Sequence, residues 1–320
     1  MKFISIVAAA FGLFAAQYAL ADSFPSKPIT IVVPFAAGGG TDLVARLVAQ
    51  KLKDSLKVGV VVENKPGATG QIATRQVIQS TPDGYTLLIG TTSLINNPLL
   101  FSNIPYDAMK QLRPVVSVAD LSIFLAVGEK MGVQNIREFI EAARKSKGTL
   151  SYGSSGAGTT LHLSAEWLKA NAGFEAVHIP FKGSGQEVVA LGGGQVDFAM
   201  ENLGAVQPMV RSKRVRLLAV AAPKRHPLLP EIPTFGESGL PDVNLVTWVF
   251  IMAPADTPDD VVVLLNKAVN QVLSNAEVKN ALLDMGFVPT GGTPDEMLKR
   301  MHQESAQWSV VIKSGRITLD

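Results

Sequence analysis

Short apolar runs rich in β-branched residues recur at 29–35, 58–63, 85–90, 123–127, 150–154, 176–181, 196–200 and 215–220, and apolar residues return with helical spacing between them. This alternation predicts right-handed βαβ units, hence an α/β protein with mostly parallel sheets flanked by helices. The runs are continuously apolar, as expected of strands covered on both faces. Several helices carry their own boundaries. Thr293, Pro294 and Glu296 spell a capping-box start, with Gly315 as the stop. Thr257-Pro258-Asp259-Asp260 opens another helix in the same way, and a third starts at 274–277 and ends by Gly286. The proline-rich stretch 223–241, with Pro227, Pro230 and Pro233, cannot be regular helix. It leads into a strand-like run at 245–252 and reads as a return crossing between two lobes.

The first residues break the pattern. Lys2 precedes an apolar run at 3–20, and the small-x-small triplet Ala19-Leu20-Ala21 stands before Asp22, the signature of a cleaved secretory signal peptide over 1–21. The expected compartment is the periplasm, with no direct membrane insertion of the mature chain, because no later apolar run is long enough to span a bilayer. At 320 residues the chain is too long for one compact domain of roughly 100–200 residues, so two lobes are expected. Its 29 basic and 27 acidic residues give +2, and loss of Lys2 leaves 28 against 27, or +1. That balance offers no footprint for nucleic acid. The absence of cysteine removes disulfides, thiolate nucleophiles and zinc–thiolate sites. No internal repeat is present.

Two glycine-rich turns follow apolar strands and precede helices, the place where open α/β sheets bind ligands. The first offers Phe35, Ala36, Gly39, Thr41 and Asp42; the second offers Ser154, Gly158, Thr159, Thr160 and His162. Neither turn contains lysine or arginine, so an anion there would be held by amides and hydroxyls at a helix N-terminus. Two further strand ends frame the same region, one with Ser93 and one with Glu201, whose carboxylate would repel an acid or accept from its amine or hydroxyl. Lys182 reads as a surface cation.

Catalytic motifs are missing. The first turn lacks the Gly-Lys-Ser/Thr ending of a phosphate loop, the second is spaced GxxGxG, and Gly153 to Ala157 fails the nucleophile-elbow pattern at its last position. His162, His178, His226 and His302 have no metal-ligand spacing. No cofactor, metal or catalytic residue is therefore expected, and a hydrolase acting through Ser154 or Ser155 would need a partnered base that the sequence does not reveal. A sensor that shows its closed form to a signalling partner remains the other reading.

In these residues the chain resembles the Bug family, the solute-binding proteins of tripartite tricarboxylate transporters. The resemblance runs through Pro28-Ile29-Thr30-Ile31-Val32-Val33-Pro34-Phe35, Gly38-Gly39-Gly40-Thr41-Asp42, Val62-Glu63-Asn64-Lys65-Pro66-Gly67-Ala68, Pro82-Asp83-Gly84-Tyr85, the 154–162 turn, His178-Ile179-Pro180-Phe181-Lys182-Gly183-Ser184, Gly193-Gly194-Gln195-Val196-Asp197 and Pro230-Glu231-Ile232-Pro233-Thr234. It implies a two-lobed periplasmic binding fold with a cleft between the lobes, the first formed by 22–125 with 245–320 and the second by 126–244. It also implies a monomer that captures a small carboxylate, a dicarboxylate, amino acid or aromatic acid, for membrane transporter subunits. Phe181 stands where tyrosine is usual and Glu201 where aspartate is usual, so the two departures fall near the expected cleft.

Overall fold

The computed structural model describes residues 24–240 and 245–314; the expected signal peptide at 1–21 and the expected stop at Gly315 lie outside them. The chain order is β1 (Ile29–Val33), α1 (Gly40–Leu56), β2 (Val60–Asn64), α2 (Gln71–Ile78), β3 (Thr86–Thr91), α3 (Thr92–Leu100), α4 (Ala108–Gln111), β4 (Leu112–Leu121), β5 (Ile123–Gly128), α5 (Ile136–Lys145), β6 (Ser151–Ser154), α6 (Thr160–Ala172), β7 (Val177–Pro180), α7 (Ser184–Gly193), β8 (Phe198–Asn202), α8 (Leu203–Arg211), β9 (Val215–Val220), β10 (Thr247–Pro254), α9 (Asp259–Ser274), α10 (Ala276–Asp284), β11 (Phe287–Pro289) and α11 (Pro294–Ser314). They form a six-stranded sheet, β11-β4-β10-β3-β1-β2, and a five-stranded sheet, β7-β6-β8-β5-β9.

Both sheets are mixed, not mostly parallel. The βα units supply the parallel pairs β1–β2, β1–β3, β6–β7 and β6–β8. Antiparallel pairs arise where the chain changes sheets, because β4 leaves the first sheet while β10 returns to it, and β5 enters the second sheet while β9 leaves it. The first crossing is Ser122: Leu121 still pairs with Thr247 and Phe287, while Ile123 already pairs with Asn202. The expected boundary at 125/126 thus falls inside β5. Strand β4 was not expected, since Pro114 interrupts its run; a register shift in the pairing with β10 lets the ring sit within the sheet. Three-residue β11 was also not expected.

Strand periodicity sets the layers. Ile29, Ile31 and Val33 pack under α1 and α9, while Val32 faces the opposite layer with Trp248 and Phe250. In the second sheet Ile123, Leu125 and Val127 face α5 and α6, and Phe124 and Ala126 face α7 and α8. The later half of α11, through Trp308 and Ile312, and Leu100 of α3 belong to the second sheet's core, so the segment after 245 does not pack with the first lobe alone.

The α11 capping box forms as expected: Glu296 N–H donates to Thr293 Oγ1 at 3.2 Å and Thr293 N–H donates to Glu296 Oε2 at 2.8 Å. The other two starts differ. Pro258 holds the N-cap position of α9, leaving the Thr257 hydroxyl buried without a partner. Asn275, one residue beyond the expected Ser274, caps α10 by accepting from Glu277 N–H at 2.8 Å.

Candidate ligand cleft

The topology brings the carboxyl ends of the parallel strands in both sheets toward the same crossing. Thr91, at the end of β3, pairs with Val249 two residues into β10, and Asn202, at the end of β8, pairs with Ile123. Loops that follow β1 and β3 therefore face loops that follow β6, β7 and β8. These loops open α1, α3, α6, α7 and α8, whose first amides have no partner inside their own helices.

At the first junction Gly38 has φ +84, a conformation that L side chains rarely adopt, and Gly39 is the N-cap of α1. No side chain caps this helix. Thr41 sits half-buried in the first turn. Asp42 points inward instead: its Oδ2 accepts from Gly38 N–H at 2.8 Å and from Arg46 Nε at 2.9 Å, and its Oδ1 accepts from Asn64 Nδ2 at 2.8 Å. Burial opposes ionisation, but these hydrogen bonds and the Arg46 charge hold the carboxyl down at about 2. Asp42 thus shapes the loop from behind and its oxygens are committed there. Asn64 also donates to the Phe35 carbonyl at 3.0 Å, fixing the other end of the turn; Ala36 is exposed at its tip. Arg46 and Asn64 were not expected as site residues, and only the carboxyl-end position of Asn64, beside β1, hints at its part.

The second junction is ordered by side chains. Thr159 caps α6: its hydroxyl accepts from His162 N–H at 3.3 Å and donates to the Gly156 carbonyl at 2.8 Å. Gly158 N–H donates to His162 Nδ1 at 3.1 Å. Burial lowers the His162 pKa, so the ring is neutral at pH 7 and its proton resides on Nε2. That leaves Nε2–H as a donor on a ring stacked against His178, with 4.0 Å between the ring centres.

Ser154 does have a basic neighbour, contrary to the sequence-based expectation. Its Oγ lies 2.7 Å from His178 Nε2, because β6 and β7 pair in parallel. The pair holds the turn. Ser154 is fully buried and also bonds both the amide and the carbonyl of Gly156, while burial and then His162 keep the His178 pKa down at about 4. Among the described residues no carboxylate is hydrogen-bonded to His178 to orient it as a base.

Ser93 lies in the first turn of α3 and lines a small pocket with Phe35, Thr69, Gly70 and Asn97. Ala68 and Thr69 have positive φ of 45° and 52°, and Asn97 Nδ2 holds the Thr69 carbonyl at 3.0 Å. Glu201 is neither a solvated strand end nor a lining group. It is fully buried, with Oε1 accepting from Asn202 N–H at 2.6 Å and its carboxyl also hydrogen-bonded to the side chains of Glu187 and Ser184. Glu187 of α7, equally buried, faces it and shares a side-chain hydrogen bond with it. Burial, and for Glu187 the neighbouring carboxyl, push these groups upward, so the pair retains at least one proton at neutral pH.

Two α/β lobes joined by crossing strands, with glycine-rich turns facing a common cleft, define a periplasmic-type solute-binding protein. The chain belongs to the tripartite tricarboxylate transporter receptor family, whose sequence profile matches residues 44–317. It is 35% identical over 295 residues to the protein BugT of Bordetella pertussis, covering 92% of this chain and 90% of that protein. A Rhodopseudomonas palustris protein solved with adipate superimposes with a TM-score of 0.83 at 34% identity, covering 92% of this chain and 100% of that one. MatC from the same organism, solved with bound malate, gives 0.78 at 30%, covering 90% and 100%. The chain is a receptor of this family and not an enzyme. No helix among the described residues is long and apolar enough to cross a membrane.

Proposed function

We propose that this receptor captures a small carboxylate in the periplasm between its two lobes and delivers it, as a monomer, to membrane subunits of a tripartite transporter. One observation carries the reading. The helices that start at the cleft, α1, α3, α7 and α8, have no side-chain cap, whereas α4, α5, α10 and α11, which start elsewhere, are each capped by a side chain; α2, and α9 with Pro258 at its N-cap, also lack one. Only α6 is capped at the cleft, and there His162 Nε2–H adds a donor. Unpaired amides at several helix starts suit a carboxylate without any cationic side chain. Phe35, Gly39, Thr41, Ser93, Gly158, Thr160 and His162 would line it, with Asp42, Ser154 and Thr159 shaping the turns.

Hydrogen bonds to a charged group contribute about 1.5–3 kcal/mol each, so three or four account for a micromolar complex near about −8 kcal/mol once association costs are subtracted. The relatives solved with adipate and with malate support a carboxylate as the ligand class. Titration calorimetry of the mature protein with adipate, malate, succinate, aspartate and benzoate, each beside its amide, tests the reading. Saturable heat from an acid and none from its amide is expected; silence across the acids, or equal binding of an amide, would refute it.

A further inference from the structure

Arg300, Glu304 and Trp308 lie four residues apart along α11 and so share one face of the helix. Each reaches a different part of the molecule. Arg300 Nη1 donates to Asp120 Oδ1 at 2.7 Å, two residues before the Ser122 crossing on β4, and its guanidinium lies 4.1 Å from the ring centre of Trp248 on β10. Glu304, almost fully buried, accepts from Trp248 Nε1 and, at 3.2 Å, from Trp308 Nε1. Met297 and Met301 pack in a core of the first sheet with Trp248, while Trp308 and Ile312 pack in a core of the second with Leu245. One helix thus holds the outgoing strand, the returning strand and the far lobe.

We propose that the Arg300–Glu304–Trp308 ridge is a hinge brace: it fixes α11 to both crossing strands and carries that hold into the second lobe, so the angle between the lobes is set partly at α11. The inference rests on the two-lobed fold and not on the carboxylate reading, so either can fail alone. A helix is a stiff rod, rising about 1.5 Å per residue. With its two halves seated in different cores, α11 cannot follow a lobe rotation without shear at one seat. A fulcrum lies beside the crossing. A Cβ at Gly204, at the start of α8, would sit 2.8 Å from the Met285 carbonyl oxygen, and one at Gly286 would sit 3.0 Å from the Gly204 nitrogen. Backbone meets backbone there, between the lobes, with Leu203 Cβ the nearest side-chain atom, 3.2 Å from the position built at Gly286.

The position of Glu304 makes the brace sensitive to protons. Burial pushes its carboxyl up to about 7, against the pull of the two indoles and of Arg300. Arg300 is the charged group facing it, itself engaged by Asp120; α3 presents Thr92 and β10 the Trp248 indole, neither ionisable in this range. On α6, which packs against the later turns of α11, Glu166 pairs with Lys169 and accepts from Tyr152, and His162 is engaged by Gly158. Because the folded-state value is raised, the braced arrangement is favoured below about pH 7, and raising the pH puts a charge into a site nearly closed to water. Conformations that hydrate Glu304 then gain.

The chain has no cysteine, so labels at Ser55→Cys on α1 and Val189→Cys on α7, both exposed, report one distance between the lobes. Pulsed electron–electron distance measurements on the ligand-free protein from pH 5.5 to 8.5 should show the two-population ratio changing by about threefold or more, with a midpoint near 7. Glu304→Gln, which removes the titrating group, should show a distribution that does not change with pH, and Trp308→Phe, which keeps the ring packing but removes the N–H, should shift toward the high-pH distribution at every pH. In the unsubstituted chain the indole 15N–1H signals of Trp248 and Trp308 should move at the same midpoint, a readout that needs no variant to fold. A distance that ignores pH, indole signals that do not titrate, or a Glu304→Gln protein that titrates like the wild type would each overturn the brace.

Discussion

The two loop–helix junctions occupy equivalent places, each after an apolar parallel strand and before a helix, yet they are ordered in opposite ways. The first is held from behind by an ionised acid: Asp42 is hydrogen-bonded by Gly38, Arg46 and Asn64, and the helix start it supports stays bare. The second is held by neutral groups, the Thr159 hydroxyl, the His162 ring and the Ser154–His178 contact, and the buried acids beside it, Glu201 near the end of β8 and Glu187 of α7, lack counter-charges. A buried carboxyl given three donors stays charged; one facing another carboxyl keeps a proton. The same lobe-edge position can therefore be rigid through charge on one side of a cleft and through neutral hydrogen bonding on the other.

The sharpest way to break this contrast is Asp42→Ala. It strands the Gly38 amide and removes one acceptor each from Asn64 and Arg46, so the first turn loses its shape. The affinity for whichever carboxylate binds in calorimetry is expected to fall about 100-fold, or about 2.7 kcal/mol. Unchanged affinity would show that the turn keeps its form without the acid. The pH dependence has a definite sign. A folded-state pKa held down at about 2 contributes stability above the unfolded value and loses it as pH falls toward 2, so the acid side of a wild-type urea-stability profile should flatten in Asp42→Ala.

The Glu187–Glu201 pair carries the opposite sign. Groups whose folded-state pKa is raised give stability that is lost as pH rises, by at most about 1.4 kcal/mol per pH unit for each extra proton that the folded state holds. Glu187→Gln removes one acid from the pair, so urea unfolding between pH 6 and pH 9 should depend less on pH, with the variant more stable than wild type at the alkaline end. A variant that declines as steeply as wild type would show that the pair is not the source.

The unequal legibility of the two junctions follows from the same contrast. Glycines between an apolar strand and an apolar-periodic helix announce both turns, because the local chain alone dictates that geometry. The partners that order them come from other strands: Asn64 from β2, His178 from β7 and Glu187 from α7. Local pattern cannot show them, which is why Ser154 reads as having no base and Glu201 as a carboxylate framing the cleft. The same limit hid β4, where Pro114 argues locally against a strand and a register shift with β10 accommodates it. The crossing at Ser122 is likewise visible only once Leu121 and Ile123 are seen to pair in different sheets. The α11 capping box, by contrast, is closed within four residues and forms as the sequence predicts.

Thr159→Ala tests the neutral side more gently. It removes the one side-chain cap at a cleft helix, which costs about 1 kcal/mol of stability. It also removes the donor to the Gly156 carbonyl, loosening the turn that holds His162. Affinity should fall about fivefold, while the acid limb of the pH profile, which belongs to Asp42, stays unchanged. An equal loss in Asp42→Ala and Thr159→Ala would erase the distinction between the junctions.

The smallest effect is expected at Lys182, and it decides whether a cation is needed at all. Lys182 follows β7, is exposed, and uses its backbone amide to reach Gln186 Oε1 at 3.4 Å. Its ammonium makes no ion pair among the described residues. A solvated lysine interacts with a carboxylate through water and salt, where a charge pair is worth about 0–1 kcal/mol. Lys182→Ala should therefore weaken carboxylate binding by less than about tenfold, or 1.4 kcal/mol, and the residual difference should vanish as ionic strength rises. The cradle of amides is insensitive to that salt, since its dipoles sit against the ligand and not across solvent. Loss of binding in Lys182→Ala, with Thr159→Ala left intact, would mean that the ligand is held by a lysine and not by helix starts.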